Sequence, residues 1–351
     1  MSGERTVLVT GAGGFIGGRV VEVLHQGGEV QVRPAVRRWA SCARIGRLPI
    51  DPVQCDLLVP EQVRDAVQGV DEVVHCAKGG RESMVDGTRT LLREAREAGV
   101  RRVIHLSTID VYGRAEGVVD EERSFEVTGR EYGDSKIEAE NVCRGFADNG
   151  LEVVILRPTI VYGPFSDLWT VQFAERFRDR NWLLSPDACG GRCNLVYVDD
   201  LVRAILLALE APGVSGRAYN VNGPDEVTWQ GYFEALNEAL GFPPLPSPGA
   251  ARSRASSVVA APFQTAARIA FHRFQEPILA LYKRSRMARG LMKRVELILR
   301  KVPSSAEFDL YGRDAEFPYR KAKEELGYGP AVDMARGIEL STCWLRHEGV
   351  V

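Results

Sequence analysis

Thr10-Gly11-Ala12-Gly13-Gly14-Phe15-Ile16-Gly17 follows the apolar run Thr6-Val7-Leu8-Val9 and leads into residues 18–25, where Val20, Val21 and Leu24 fall on one helical stripe. The pattern is a strand, a glycine turn and the start of a helix. Glycines at 11, 14 and 17 let the chain turn sharply, approach a pyrophosphate closely and pack helix against strand, while the amide N–H groups of a helix start bind the negative charge. Gly11, Gly14, Phe15, Ile16 and Gly17 are therefore the first candidate binding residues, and the ligand they suit is a dinucleotide. The spacing Gly-x-x-Gly-x-x-Gly also serves as a plain strand-to-helix connection, so a second signal has to carry the reading.

That signal is Tyr132-Gly133-Asp134-Ser135-Lys136. Tyr and Lys four apart share a helix face, so a phenol and an ammonium point into one pocket; the positive charge favours phenolate and fits the phenol to act as acid or base. Thr108, in Leu106-Ser107-Thr108-Ile109-Asp110-Val111-Tyr112-Gly113, follows the strand-like Arg102-Val103-Ile104-His105. A hydroxyl at the C-terminal end of a central strand stands where open α/β sheets place their ligands. Thr108, Tyr132 and Lys136 are the candidate catalytic set.

In combination these residues resemble the extended short-chain dehydrogenase/reductase family, the NAD(P)-dependent group of nucleotide-sugar epimerases, dehydratases and related ketone reductases. The resemblance runs from residue 5 to residue 240, with a weaker echo over 321–346. It implies that Asp56 and Leu57, in Cys55-Asp56-Leu57, lie against adenine, and that Ala77, in Val74-His75-Cys76-Ala77, meets the cofactor ribose. Pro158 and Val161, in Arg157-Pro158-Thr159-Ile160-Val161-Tyr162-Gly163-Pro164, would line the nicotinamide. Val85-Asp86-Gly87-Thr88 matches a helix start of the family, with Met84 in place of the usual Asn. Val196-Tyr197-Val198-Asp199-Asp200 matches its strand–helix junction. Lys136 then binds the nicotinamide ribose and lowers the Tyr132 pKa, Tyr132 gives or takes the hydroxyl proton, Thr108 bonds the same oxygen, and hydride passes between nicotinamide and the carbinol carbon. A homodimer is implied by the same resemblance.

NAD-specific relatives place a carboxylate at the end of the second strand for the ribose 2′-hydroxyl, whereas Arg accommodates a 2′-phosphate. Here Val30 to Val36 leads into Arg37-Arg38, with Arg44 close behind. NADP(H) is the expected cofactor and NAD(H) the alternative; the competing reading has Arg37 stacking on adenine while facing solvent.

Strands expected at 6–10, 30–37, 52–56, 72–77, 102–108 and 152–157, alternating with helices, give an α/β fold, a doubly wound parallel (Rossmann) sheet. A dinucleotide-binding domain is expected over 1–164, taking a further strand and helix near 194–210, and a smaller, mostly helical substrate lobe over 165–351. The 351 residues suffice for both. With strand one beginning at Thr6 and no apolar span of some 20 residues, a cytoplasmic protein is expected. The cysteines, at 42, 55, 76, 143, 189, 193 and 343, form no Cys-x-x-Cys pair, so neither disulfides nor a metal site are expected. His75 and His105 lie in expected buried strands and read as hydrogen-bonded core residues.

Between Arg252 and Lys301 twelve Lys and Arg stand against Glu276 and Glu296, a net +10 in a chain whose total is −2. Met287, Leu291, Val295, Ile298 and Val302 fall at helical spacing within it. Such a basic amphipathic stretch covers a lobe with a solvated face, holds a substrate phosphate, or lies on an anionic membrane, in that order of preference. Nucleic acid is disfavoured, because no stacking or recognition motif accompanies the charge.

Dehydratases of the resembled family carry Asp-Glu directly after the Thr. Here Ile109 and Asp110 stand there, and Ile moves no proton. A 3,5-epimerase-reductase needs Cys at 109, and decarboxylating members have Glu where Asp110 is; a turn-capping carboxylate is the favoured reading of Asp110. The expected function is an NAD(P)-dependent reductase of a secondary alcohol or ketone, first of a keto-sugar of nucleotide-sugar type. The alternatives are a nucleotide-sugar 4-epimerase with retained NAD, a hydroxysteroid or flavonoid-type ketone reductase, and a cofactor-sensing binding protein without turnover. Sugar-nucleotide members show Arg-Asp-Phe before Val-Tyr-Val-Asp-Asp; Cys193-Asn194-Leu195 replaces it, with Arg192 one place away. That counts against diphosphate recognition.

Overall fold

The computed structural model describes residues 5–247, apart from 181 and 183, and residues 304–351. The basic stretch 252–301 and its three readings lie outside the described residues. Contacts divide the chain into two units. The first holds the described residues up to Tyr162, Asn194–Asp225 and Ala315–Asp333; the second holds Gly163–Cys193, the described residues between Glu226 and Asp314, and Met334–Val351. The division is interleaved, so 211–225 and 315–333, left with the second lobe on sequence, lie in the first unit.

The first unit is built on seven parallel strands in the order β10-β7-β5-β4-β1-β2-β3. They are β1 Thr6–Thr10, β2 Gln31–Val36, β3 Val53–Gln54, β4 Glu72–His75, β5 Arg102–Leu106, β7 Glu152–Pro158 and β10 Ala218–Val221. β1, β4 and β5 are buried along their whole length, as the near-continuous apolar runs of a sheet covered on both faces require. The helices are α1 Phe15–Gly27, α2 Pro60–Val67, α3 Arg81–Glu97, α4 Glu131–Ala147, α6 Val198–Glu210 and α9 Arg320–Leu326. Between strands and helices Leu8, Val63, Val73, Leu91, Val103 and Val153 form one core. A second pair of short sheets joins β8 Ile160–Tyr162 to β9 Leu195–Tyr197, and β6 Gly117–Val118 to β11 Ala315–Glu316.

Chain order leaves β1 with β2 and β3 on one side and β4 on the other, so connections diverge between β1 and β4. That switch point opens a crevice at the C-terminal ends of the strands. Three segments named from sequence end there: the glycine turn after β1, Cys76-Ala77 after β4 and Thr108 after β5.

The second unit contains α5 Gln172–Arg178, α7 Trp229–Ala239, α8 Ser305–Tyr311 and α10 Met334–His347. Its centre is aromatic. Phe233 lies 4.8 Å, ring to ring, from both Phe173 and Trp182, and Trp229 lies 4.7 Å from Tyr311, mostly tilted or edge to face as ring quadrupoles prefer. Among the described residues no helix is long and apolar enough to cross a membrane.

Candidate active site

The glycine turn is close-packed against two neighbouring segments. A Cβ on Gly11 (φ +68°) would stand 2.8 Å from the Ala77 backbone, and one on Gly13 would stand 2.2 Å from the Ser41 carbonyl oxygen. One on Gly17 would stand 2.3 Å from the Gly11 carbonyl oxygen, so helix α1 can start this close to β1 only with glycine there. Gly14 caps α1 without a side-chain hydrogen bond, and the first turn carries no acidic residue. Phe15, Ile16 and Gly17 therefore present first-turn amide N–H groups at a positive helix end, which fits a pyrophosphate.

Around this cradle the other sequence candidates are placed as follows. Arg37 and Arg38 leave β2 exposed, just before the short helical turn Trp39–Cys42 whose Ser41 abuts Gly13. Arg44 does not stand free beside them. It donates two hydrogen bonds to Glu22, at 2.8 and 2.9 Å, and one to the Phe15 carbonyl, and only 9% of its side chain is exposed. Asp56 accepts the Leu58 N–H at 3.1 Å, and Leu57 is buried against Gly87. The 85–88 match lies inside α3, which begins at Arg81, so it marks a second helical turn and not the start; Met84 is buried and its carbonyl accepts from Thr88. Pro158 ends β7 opposite Val221, and Val161 is buried in β8.

Thr108, Tyr132 and Lys136 come together where β5 ends and α4 begins. Tyr132, the second residue of α4, is hydrogen-bonded to Thr108 and keeps 41% of its surface exposed. Thr108 also accepts the Asp110 N–H at 3.2 Å and so caps the turn Ile109–Tyr112. The cap is the Thr108 hydroxyl; the Asp110 side chain is exposed, and its charge acts on Tyr132. Lys136 is buried and donates to the Leu106 carbonyl at 2.6 Å.

The electrostatics depart from the expectation that Lys136 lowers the Tyr132 pKa. Burial, with the Asp110 carboxylate adding to it, pushes the phenol up to about 12 against the pull of the Thr108 hydrogen bond. Lys136 takes no part in that balance, because its ammonium is directed to the Leu106 carbonyl. Burial lowers the Lys136 ammonium itself to about 8, with Cys143, Cys76 and Glu140 opposing and Lys78 assisting.

The two strand histidines separate. His75 is paired at both nitrogens: Thr10 lies 2.7 Å from Nδ1 and Thr88 3.0 Å from Nε2. Since Thr88 donates to Met84, it accepts from Nε2–H, and Thr10 donates to Nδ1. His105, its register partner 5.2 Å away ring to ring, is buried with neither nitrogen hydrogen-bonded. The expectation of a hydrogen-bonded core residue fails there, because Thr10 and Thr88 are already bonded to His75.

Sequence reasoning passed over the buried layer beneath the triad. Glu140, one turn beyond Lys136 on α4, is completely buried and accepts Ser107 Oγ at 2.5 Å and a bidentate pair from Arg157 at 2.9 and 2.7 Å. Arg157 donates onward to Tyr112 at 2.7 Å, and Tyr112 to Asn220 at 2.7 Å. A readable signal existed: 132, 136 and 140 continue one stripe at spacing four.

These features define a Rossmann-type α/β domain with Thr108, Tyr132 and Lys136 gathered where β5 ends and α4 begins. Residues 7–222 match the NAD dependent epimerase/dehydratase family, and the chain belongs to that family. It is 32% identical over 255 residues to Sterol demethylase protein B of Methylococcus capsulatus, covering 68% of this chain and 75% of the relative. It is 29% identical over 255 residues to 2-alkyl-3-oxoalkanoate reductase of Stenotrophomonas maltophilia, covering 68% and 76%. The solved UDP-glucose 4-epimerase of Thermotoga maritima shares the fold at a TM-score of 0.72 and 22% identity, over 98% of this chain and 99% of that one.

Proposed function

We propose that this protein reduces a ketone to a secondary alcohol at the expense of NADPH, and that the ketone sits in an apolar molecule. The observation that carries the reading is the state of Tyr132. Its phenol, pushed up to about 12, stays protonated at neutral pH and stands by Thr108 at the end of β5, where it can donate to a substrate oxygen. A bound nicotinamide cofactor supplies the hydride. Tyr132 would then give its proton to the substrate oxygen, Thr108 would orient that oxygen, and Lys136 would hold the nicotinamide ribose.

The substrate class is supported by Arg192. The residue nearest the expected diphosphate-binding position bonds Asp314 at 3.0 Å and lies 3.7 Å from Glu226, so two carboxylates already balance its charge. Relatives named for a 3-oxoalkanoate and for a sterol point the same way. A keto-sugar, the substrate placed first on sequence, is the second arm of the test. The choice of NADPH rests on Arg37 and Arg38, exposed at the end of β2 with no Asp or Glu among residues 30–40. NADPH consumption measured with 3-oxoalkanoates, 3-oxosteroids and nucleotide-linked keto-sugars decides among these. Turnover of the keto-sugars alone, or with NADH as readily as NADPH, would overturn the reading.

A further inference from the structure

We propose that Glu140, clamped by Arg157 and Ser107, is a positioning residue that sets the register of helix α4 against the end of β5 and so the reach of Tyr132 and Lys136. The inference rests on the functional reading above. Three residues on one helix face meet three consecutive residues of the strand end: Tyr132 bonds Thr108, Lys136 bonds the Leu106 carbonyl, and Glu140 bonds Ser107. The Tyr132 rung is solvent-exposed and the Lys136 rung is a single bond. The Glu140 rung is the one held from elsewhere. Arg157 grips both carboxylate oxygens from β7, and Arg157 is fixed in turn by Tyr112, whose hydroxyl bonds Asn220 on β10. A bidentate guanidinium–carboxylate pair tolerates little sliding or rotation, so it holds the carboxylate in one place and Ser107 with it. Ser107 directly precedes Thr108, and its own N–H is bonded to the Leu156 carbonyl at 2.8 Å. The strand end and the helix are thus tied to the same carboxylate. Glu140 also opposes the lowering of the Lys136 ammonium, alongside Cys76 and Cys143, with Lys78 acting the other way.

Three variants test this. Ser107→Ala cuts the tie to the strand and leaves the ion pair intact; Glu140→Asp withdraws the carboxylate by one methylene; Glu140→Gln keeps the shape and removes the charge. Displacement of reacting groups by about 1 Å costs up to about 10²-fold in rate, so kcat per folded molecule should fall about tenfold in Ser107→Ala and more in Glu140→Asp, with KM nearly unchanged. In Glu140→Gln the alkaline limb of the kcat profile should move to lower pH. If Ser107→Ala and the folded Glu140 variants keep wild-type kcat and pH profile, the carboxylate is purely structural and the proposal fails. Should neither Glu140 variant fold, the kcat of Ser107→Ala alone decides. If the wild-type protein reduces no ketone, the functional reading falls separately. Crystal structures of Ser107→Ala and Glu140→Asp then decide: Lys136 still on the Leu106 carbonyl and Tyr132 still on Thr108 overturns the proposal, and their displacement upholds it.

Discussion

The layer under the triad and the centre of the second unit are equally buried and built from opposite materials. Beneath Thr108 and Lys136 lie a carboxylate, a guanidinium and hydroxyls joined by short directional bonds, with Glu140, Arg157, Tyr112 and Asn220 all at most 1% exposed. The second unit buries Phe173, Phe177, Trp229 and Phe233 at 2% exposure or less, and tilted ring contacts hold them. Hydrogen-bonded charges fix position to a fraction of an ångström and are costly when unpaired. Ring packing is adaptable, and its cost is spread over many weak contacts. A fold that must hold a phenol and an ammonium each in a fixed place uses the first; a unit that needs only bulk and shape uses the second.

The sharpest test of this contrast is Arg157→Met. Removing Arg157 takes away the buried bidentate partner of Glu140 and leaves the carboxylate only the half-buried Arg144, which donates to it at 3.0 Å, so urea unfolding should show a loss of about 3 kcal/mol. A loss below about 1 kcal/mol would erase the distinction between the two regions.

Tyr132→Phe asks whether the rigid layer serves chemistry. It should lower kcat by about 10²-fold or more, with NADPH affinity measured by fluorescence titration nearly unchanged, because the phenol acts on the substrate oxygen. Retention of more than about a tenth of the rate contradicts the role of general acid.

The histidine pair brings the contrast down to one register position. Burial lowers His75 to about 3, so between pH 3 and 6.5 the unfolded chain binds a proton that the folded chain does not. Stability is complete above the unfolded value and is lost as pH falls, by about 2 kcal/mol at pH 5 for His75. His105 is lowered too, by burial first, and adds in the same direction. His105→Phe should therefore shallow the acid limb of the stability profile without lowering stability at pH 7, since no hydrogen bond is lost. A destabilised variant at pH 7 would reveal a partner for this ring.

At the crevice mouth, Arg37→Ala should weaken NADPH about tenfold more than NADH, as expected for loss of one charge-assisted contact to the 2′-phosphate. Equal weakening of both cofactors shows Arg37 only packing. The smallest effect belongs to the aromatic centre: Phe233→Leu, a swap of one large apolar side chain for another, should cost less than about 1.5 kcal/mol in the same urea experiment. A cost matching that of Arg157→Met would show the second unit to be as exacting as the first.

Local pattern made part of this legible. The glycine turn, the six strands from β1 to β7 that carry the sheet and the i, i+4 spacing of Tyr132 and Lys136 are written in runs of a few residues, each with its own steric or periodic reason. β10 and the 315–333 segment were hidden, because a four-residue strand and a short helix take their place only by pairing with β7 and packing on a sheet already formed. Arg44 looked like a phosphate ligand while its partner, Glu22, lay 22 positions away in another element. His75 and His105 looked alike for the same reason: alternation along a strand reports burial and says nothing about who supplies the hydrogen bond.

The sequence by itself therefore determined the doubly wound sheet, the glycine turn after β1 and the shared helix face of Tyr132 and Lys136, since sterics and periodicity act over one or two turns of chain. The tertiary structure alone decided their ionisation and register. Burial holds Lys136 near 8, and the Glu140–Arg157 clamp ties α4 to β5; both arise from groups distant in sequence that become neighbours only on folding.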